Sequence, residues 1–339
     1  MPHVSGEKVK HAVTKHAVTT LARFVLGAVI AIGSFAVHAD EIVLAVARIP
    51  FSLPLFVADA EGYFAAEGQK VRLLDCPTGR RCLQHLFDGD AQLATVAETP
   101  LVFASFSRAD FVVLASFVKS SNDIKVVARK SAGISAPINL GSQRIGVVIG
   151  TSSHYFLDSF LLYHGMDNRS VRVTGWGIED LVRALQNREV DAIAAFEPSA
   201  YQAMRALGAD ALVFRAPRIY TTTFNLVAGR SFAQNRDADL IKILRAIDRA
   251  ERFIQAEPQK AQAILRRKLE LDQSFIDWVW SDLDYSLSLD QSLVKTLESE
   301  ARWALREGYV NGKRPADYLD YIHPMPLKKA APGAVTLIK

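Results

Sequence analysis

Residues 41–74 read EIVLAVARIPFSLPLFVADAEGYFAAEGQKVRLL, and residues 75–97 continue DCPTGRRCLQHLFDGDAQLATVA. The run at 41–48 is apolar and rich in small and β-branched side chains, as a strand covered on both faces requires. Pro54 opens a helix that closes at Gly62-Tyr63-Phe64, a pattern of proline inside the start and glycine past the end. Residues 70–74 make a second strand, and 81–87 a short helix stopped by Asp88-Gly89-Asp90. A third strand at 92–97 leads to a helix from Pro100 to about Arg108. Strands and helices taken in turn predict a mostly parallel sheet flanked by helices.

Working outward, residues 111–117 and 124–129 read as further strands, and 130–140 as a loop containing Gly133 and Pro137. A second alternating series follows. It has strands at 144–149, 170–174 and 190–195, with helices opening at Gly150-Thr151-Ser152-Ser153, Glu179 and Pro198. A last strand at 221–228 precedes a helical tail punctuated by Pro258, Asp290 and Pro315. The fold class is therefore α/β, two units with a helical C-terminal tail, and the sequence contains no internal repeat.

The 339 residues are 50% apolar and 22% charged, which suits about two globular domains and excludes a disordered, collagenous or multi-span chain. The pI near 9.0 does not indicate nucleic acid. Residues 1–39 hold Lys8, Lys10, Lys15 and Arg23 against Glu7, and the remainder has 36 basic and 35 acidic side chains. A near-neutral body with scattered bases lacks the footprint of a phosphate-backbone binder.

That first segment reads as an export signal. A basic stretch from Lys8 to Arg23 precedes an almost uninterrupted apolar run of 14 residues, Phe24 to Val37, and a small residue at Ala39. The apolar run is short of the ~20 residues of a spanning helix, so signal-peptide cleavage after Ala39 is expected. The two cysteines, Cys76 and Cys82, have five residues between them. In an oxidising compartment a close pair favours a disulfide. A metal site lacks further ligands at suitable spacing, and a redox pair normally has two intervening residues, so these stand as weaker alternatives.

Several stretches in register carry a family resemblance. They are residues 55–68 with Gly62-Tyr63-Phe64; Thr78-Gly79 with residues 86–94; residues 150–157; residues 190–198; and residues 289–293 with Ala301-Arg302-Trp303. Together they resemble the periplasmic substrate-binding proteins of ABC importers for nitrate, sulfonates, taurine and thiamine-precursor pyrimidines. The resemblance implies a two-lobe periplasmic-binding-protein (type II) fold with the ligand cleft between the lobes. It implies one lobe of residues 40–128 and 225–339 and another of 129–224, with residues 1–39 removed. It further implies a periplasmic monomer that hands a small organic anion or zwitterion to an ABC permease and its ATPase in the inner membrane. Two other roles share the scaffold: a sensory ligand-binding protein, and a pyrimidine-precursor binder or enzyme. The related synthases carry a cysteine-rich iron-binding run that this sequence lacks, so no catalysis, cofactor or metal is expected.

Ligands of open α/β sheets sit beyond the carboxyl ends of strands, which selects the candidate residues. In the first unit these are Phe51, Thr78, Gly79, Glu98 and Thr99; in the second, Thr151, Ser152, Ser153, His154, Trp176 and Glu197. Hydroxyls at a helix start suit an anion, though the same residues serve as plain caps. Phe51 and Trp176 are either an aromatic wall or core. Glu98 and Glu197 either cap helices or meet a ligand N–H or ammonium, and His154 is either a donor or a surface residue. Arg80 and Arg81 read as solvated.

Overall fold

Two five-stranded sheets organise residues 40–217 and 219–338, the part of the chain this computed structural model describes. The expected export segment and its cut after Ala39 lie outside the described residues. The chain begins with β1 (Ile42–Ala47), α1 (Leu53–Ala60), α2 (Tyr63–Ala66) and β2 (Val71–Cys76). It continues with α3 (Gly79–Asp88), β3 (Leu93–Ala97), α4 (Glu98–Ser105) and β4 (Phe111–Ser120). The second series is β5 (Lys125–Arg129), β6 (Arg144–Val147), α5 (Ser152–Tyr163), β7 (Arg172–Gly175), α6 (Ile178–Gln186), β8 (Ala192–Ala195), α7 (Ser199–Leu207) and β9 (Ala211–Phe214). Then come β10 (Thr222–Gly229), α8 (Arg230–Asn235) and α9 (Asp237–Ala256). The tail holds α10 (Pro258–Leu269), α11 (Gln273–Val279), α12 (Gln291–Arg306) and α13 (Met325–Ala330).

The first sheet has the order β2-β1-β3-β10-β4 and the second β7-β6-β8-β5-β9. The expected parallel pairing holds for β1 with β2 and β3, and for β6 with β7 and β8. It fails at one strand per sheet: β10 is antiparallel to β3 and β4, and β5 to β8 and β9. Both reversed strands are the first laid down after the chain changes sheets, and no α-helix lies in either crossing. A direct crossing leaves one sheet at its carboxyl end and enters the next at the same end, so the strand must run backwards. The carboxyl ends of the forward strands in both sheets therefore face a common gap. The topology alone creates the cleft.

Strand β9 has no counterpart in the sequence reading. It is four half-buried residues at a sheet edge, too short to display a period. The C-terminal helices build onto the first sheet. Residues beside Asp284 and Ser288 extend the edge of β4, with Ser116 N–H donating to Ser288 O at 2.8 Å. Trp303 of α12 donates to Asp158 on α5 at 2.8 Å, so the tail also reaches the helix that follows β6. Cys76 and Cys82 are joined in a disulfide across the turn between β2 and α3. No described helix is long and apolar enough to cross a membrane.

Candidate functional site

The chain leaves β2 through Thr78, whose extended backbone turns it into α3; the Thr78 hydroxyl accepts from the Arg81 N–H at 3.2 Å. Gly79 then packs against β3 and β10. A Cβ there would stand 2.9 Å from the Val96 Cα and 3.0 Å from the Phe224 ring, closer than carbon atoms approach. Across the cleft, Thr151 turns the chain into α5. Its hydroxyl donates to Val148 O at 2.7 Å and lies 2.9 Å from the Ser153 hydroxyl, so it does not cap the helix. The backbone N–H groups of Ser152 and Ser153, and those of Gly79 and Arg80, bond no described residue. Such first-turn N–H groups are the positive end of a helix and suit an anion.

These two helix starts meet at one cavity, lined from both sheets. Thr78, Gly79 and Arg80 line it from the first unit and Thr151 and Ser152 from the second. Phe51, Phe196 and Phe224 supply aromatic walls, with Phe51 edge-on to Phe224 at 5.6 Å. Ile49, Ala97, Pro100 and Thr222 complete most of the lining. Arg80, read from the sequence as solvated, is exposed but also lines this cavity. Its guanidinium donates to Ile149 O at 2.8 Å, a bond between the α3 start and the loop before α5. The last lining residue, Asp123, sits in the crossing between β4 and β5. The sequence reading passed over it because Ser121-Asn122-Asp123 looks like ordinary turn chemistry.

The remaining sequence candidates lie outside the cavity lining. Glu98 heads α4 fully buried and accepts from the Thr223 N–H at 2.6 Å. Burial pushes its carboxyl up to about 7, against the pull of the Thr223 and Tyr220 donors. Tyr220 in turn donates to the buried Glu300 at 3.0 Å, and Thr99 is buried beside Glu98. Glu197 forms a wholly buried pair with Lys125 at 2.9 Å and accepts from the Trp278 indole at 2.6 Å and the Tyr201 N–H at 3.0 Å. Ser153 is buried against Thr151. His154 is enclosed by Trp303 and Tyr309, ring centres 5.1 and 4.4 Å away, and burial pushes its imidazole down to about 4. Trp176 donates to Thr174 at 2.9 Å and packs over Gly146 of β6. Among the described residues no cluster of His, Cys, Asp and Glu is arranged to hold a metal.

Two α/β lobes whose strand ends face a shared cleft define the class of two-lobe periplasmic-binding-protein folds. The chain matches the NMT1/THI5-like family over residues 50–261 and belongs to it. It is 27% identical to the taurine-binding periplasmic protein of Escherichia coli over 170 residues, 50% of this chain. The match spans 52% of that relative, so about half its length is covered. The fold is that of the periplasmic aliphatic sulphonate binding protein SsuA of Escherichia coli, with a TM-score of 0.73 at 18% identity over 84% of this chain and 92% of that one. The desulfurization enzyme DszB shares it less closely, with a TM-score of 0.61 at 15% identity over 87% and 99% of the two chains.

Proposed function

We propose that this chain is an exported periplasmic receptor that closes over a small organic anion or zwitterion of the sulfonate type and delivers it to an ABC permease and its ATPase. The observation that carries the reading is the pair of helix starts, Thr78-Gly79 and Thr151-Ser152. They bring unbonded N–H groups from two sheets to one cavity. A sulfonate offers three acceptor oxygens to donors arriving from different sides, and Phe51, Phe196 and Phe224 suit its carbon chain.

A micromolar receptor requires about 8 kcal/mol of net binding. One helix start supplies only ~0.3–2 kcal/mol, so the dipole alone falls well short. Charge-assisted hydrogen bonds contribute roughly 1.5–3 kcal/mol each, and four or five drawn from both lobes reach the requirement after closure is counted. The lobes divide where the chain changes sheets, between β4 and β5 and between β9 and β10, and the Arg80 bond to Ile149 O joins them. A receptor fits these residues better than an enzyme. The cavity side chains hold no nucleophile paired with a base, and the nearby His154 is a neutral, enclosed ring.

A thermal-shift screen over nitrate, alkane and aryl sulfonates, 2-aminoethanesulfonate and pyrimidines tests the reading. A sulfonate at a hundredfold excess over its Kd is expected to add roughly 2.7 kcal/mol of stability. A shift with pyrimidines alone would overturn the proposal.

A further inference from the structure

Asp123 is 4% exposed, lines the ligand cavity, and forms no ion pair with any described residue, its carboxyl being supported by the Glu197 backbone N–H. Its nearest base is already engaged. Lys125 is fully buried, pairs with Glu197 at 2.9 Å, donates to Asn122 O at 2.5 Å and lies 3.9 Å from Asp282. Asp282 has a second base, Arg215, at 3.9 Å. Three acids (Asp123, Glu197 and Asp282) thus share two bases, and the acid without an ion pair is the one on the cavity. Burial pushes the Asp123 carboxyl up to about 8; Lys125 opposes this, while Glu197 and Asp282 add to it and the Glu197 backbone N–H gives partial support. A buried carboxylate is costly unless paired, and the base in the cavity lining, Arg80, donates instead to Ile149 O.

Resting on the receptor reading above, we infer that Asp123 is a specificity residue that accepts a protonated amine of the ligand, so that the preferred solute is an amino-sulfonate and not a plain alkane sulfonate. The ligand cation completes a charge cluster that the protein leaves one short, while the two helix starts take the sulfonate. A plain sulfonate brings no cation, so it leaves Asp123 protonated by its burial and gains no ion pair from it. The acids singled out from sequence do not fill this role, since neither Glu98 nor Glu197 lines the cavity.

The test is calorimetry on the full exported protein with three probes of similar size: 2-aminoethanesulfonate, ethanesulfonate and propylammonium. The parent is expected to bind 2-aminoethanesulfonate at least tenfold more tightly than ethanesulfonate. Asp123→Asn should bring that ratio to about one without weakening ethanesulfonate, and Asp123→Glu should retain a preference. An Asp123 acting as a protonated donor to the anion predicts otherwise, because asparagine keeps an N–H donor and both sulfonates would bind Asp123→Asn as they bind the parent. Equal binding of the two sulfonates by the parent overturns the inference with no variant needed, and so does a preference that survives in Asp123→Asn. Binding of propylammonium alone, lost in Asp123→Asn, would sink the sulfonate reading and leave the role of Asp123 standing. Binding of none of the three probes would overturn both.

Discussion

At Gly79 one hydrogen in place of a methyl group sets how closely α3 can descend onto β3. A Cβ at that position meets the backbone at Val96 as well as the Phe224 ring, so relief requires the helix start itself to move. Gly79→Ala is expected to cost about 1–3 kcal/mol as an overpacked site does, and to weaken ligand binding, because Gly79 and Arg80 carry two of the free N–H groups. Denaturant unfolding and calorimetry on the same variant check both. Glu251 shows a different residue-scale effect. It is buried on α9, where one carboxyl oxygen accepts from the Leu287 N–H at 2.8 Å and the other has no partner. Burial pushes it from 4.5 to about 8. The folded chain therefore holds a proton that the unfolded chain releases between those values, and stability falls as pH rises from about 4.5 to about 8. Glu251→Gln keeps an acceptor for Leu287 and cannot ionise. Its stability relative to the parent should rise across that window by about 1–3 kcal/mol, as read by denaturant melts at pH 5 and pH 8.5; a constant difference would contradict the argument. These features were not legible in the sequence, because burial of Glu251 or Asp123 depends on elements far away in the chain.

At the scale of elements, local chemistry was informative wherever the chain announces a boundary. Thr78-Gly79 and Thr151-Ser152 could be identified as helix starts after strands, and both reached the cavity. The reading of Glu98 and Glu197 at similar positions was ambiguous, since a carboxylate after a strand serves equally as cap, ion-pair partner or ligand contact. The element packed behind it decides. Glu197 meets Lys125 of β5 and Trp278 of α11, which ties the second sheet to the tail. Glu197→Gln would leave a buried ammonium without its close counterion, at a cost of about 3–5 kcal/mol. Adding Lys125→Met to that variant should recover part of the loss, and chemical denaturation of the two variants measures it. A double variant less stable than Glu197→Gln would show that Lys125 has its main partner elsewhere. The direction of β5 and β10 escaped the sequence because a strand's residues encode its burial and not its sense. Only the absence of a helix in each crossing held that information.

Across the whole molecule, the two direct crossings turn the strand ends of both sheets toward one gap, and the N–H groups there are donors that no side chain supplies. That is why side-chain motifs alone gave an incomplete account of the site. The central claim is that backbone donors at the α5 start, matched by those at α3, hold the ligand's anionic group. Ser152 is the first residue of α5, where proline is tolerated and its missing N–H leaves no helix bond broken. Thr151 before it is already extended, with φ −119° and ψ 171°, as the residue preceding a proline must be. Ser152→Pro thus removes the N–H and the hydroxyl, whereas Ser152→Ala removes the hydroxyl alone. The decisive measurement is the calorimetric affinity of both variants for the best sulfonate of the thermal-shift screen. The account predicts a loss of at least tenfold for Ser152→Pro, larger than that for Ser152→Ala, with melting temperatures close to the parent. Parent-like affinity in a folded Ser152→Pro would contradict it.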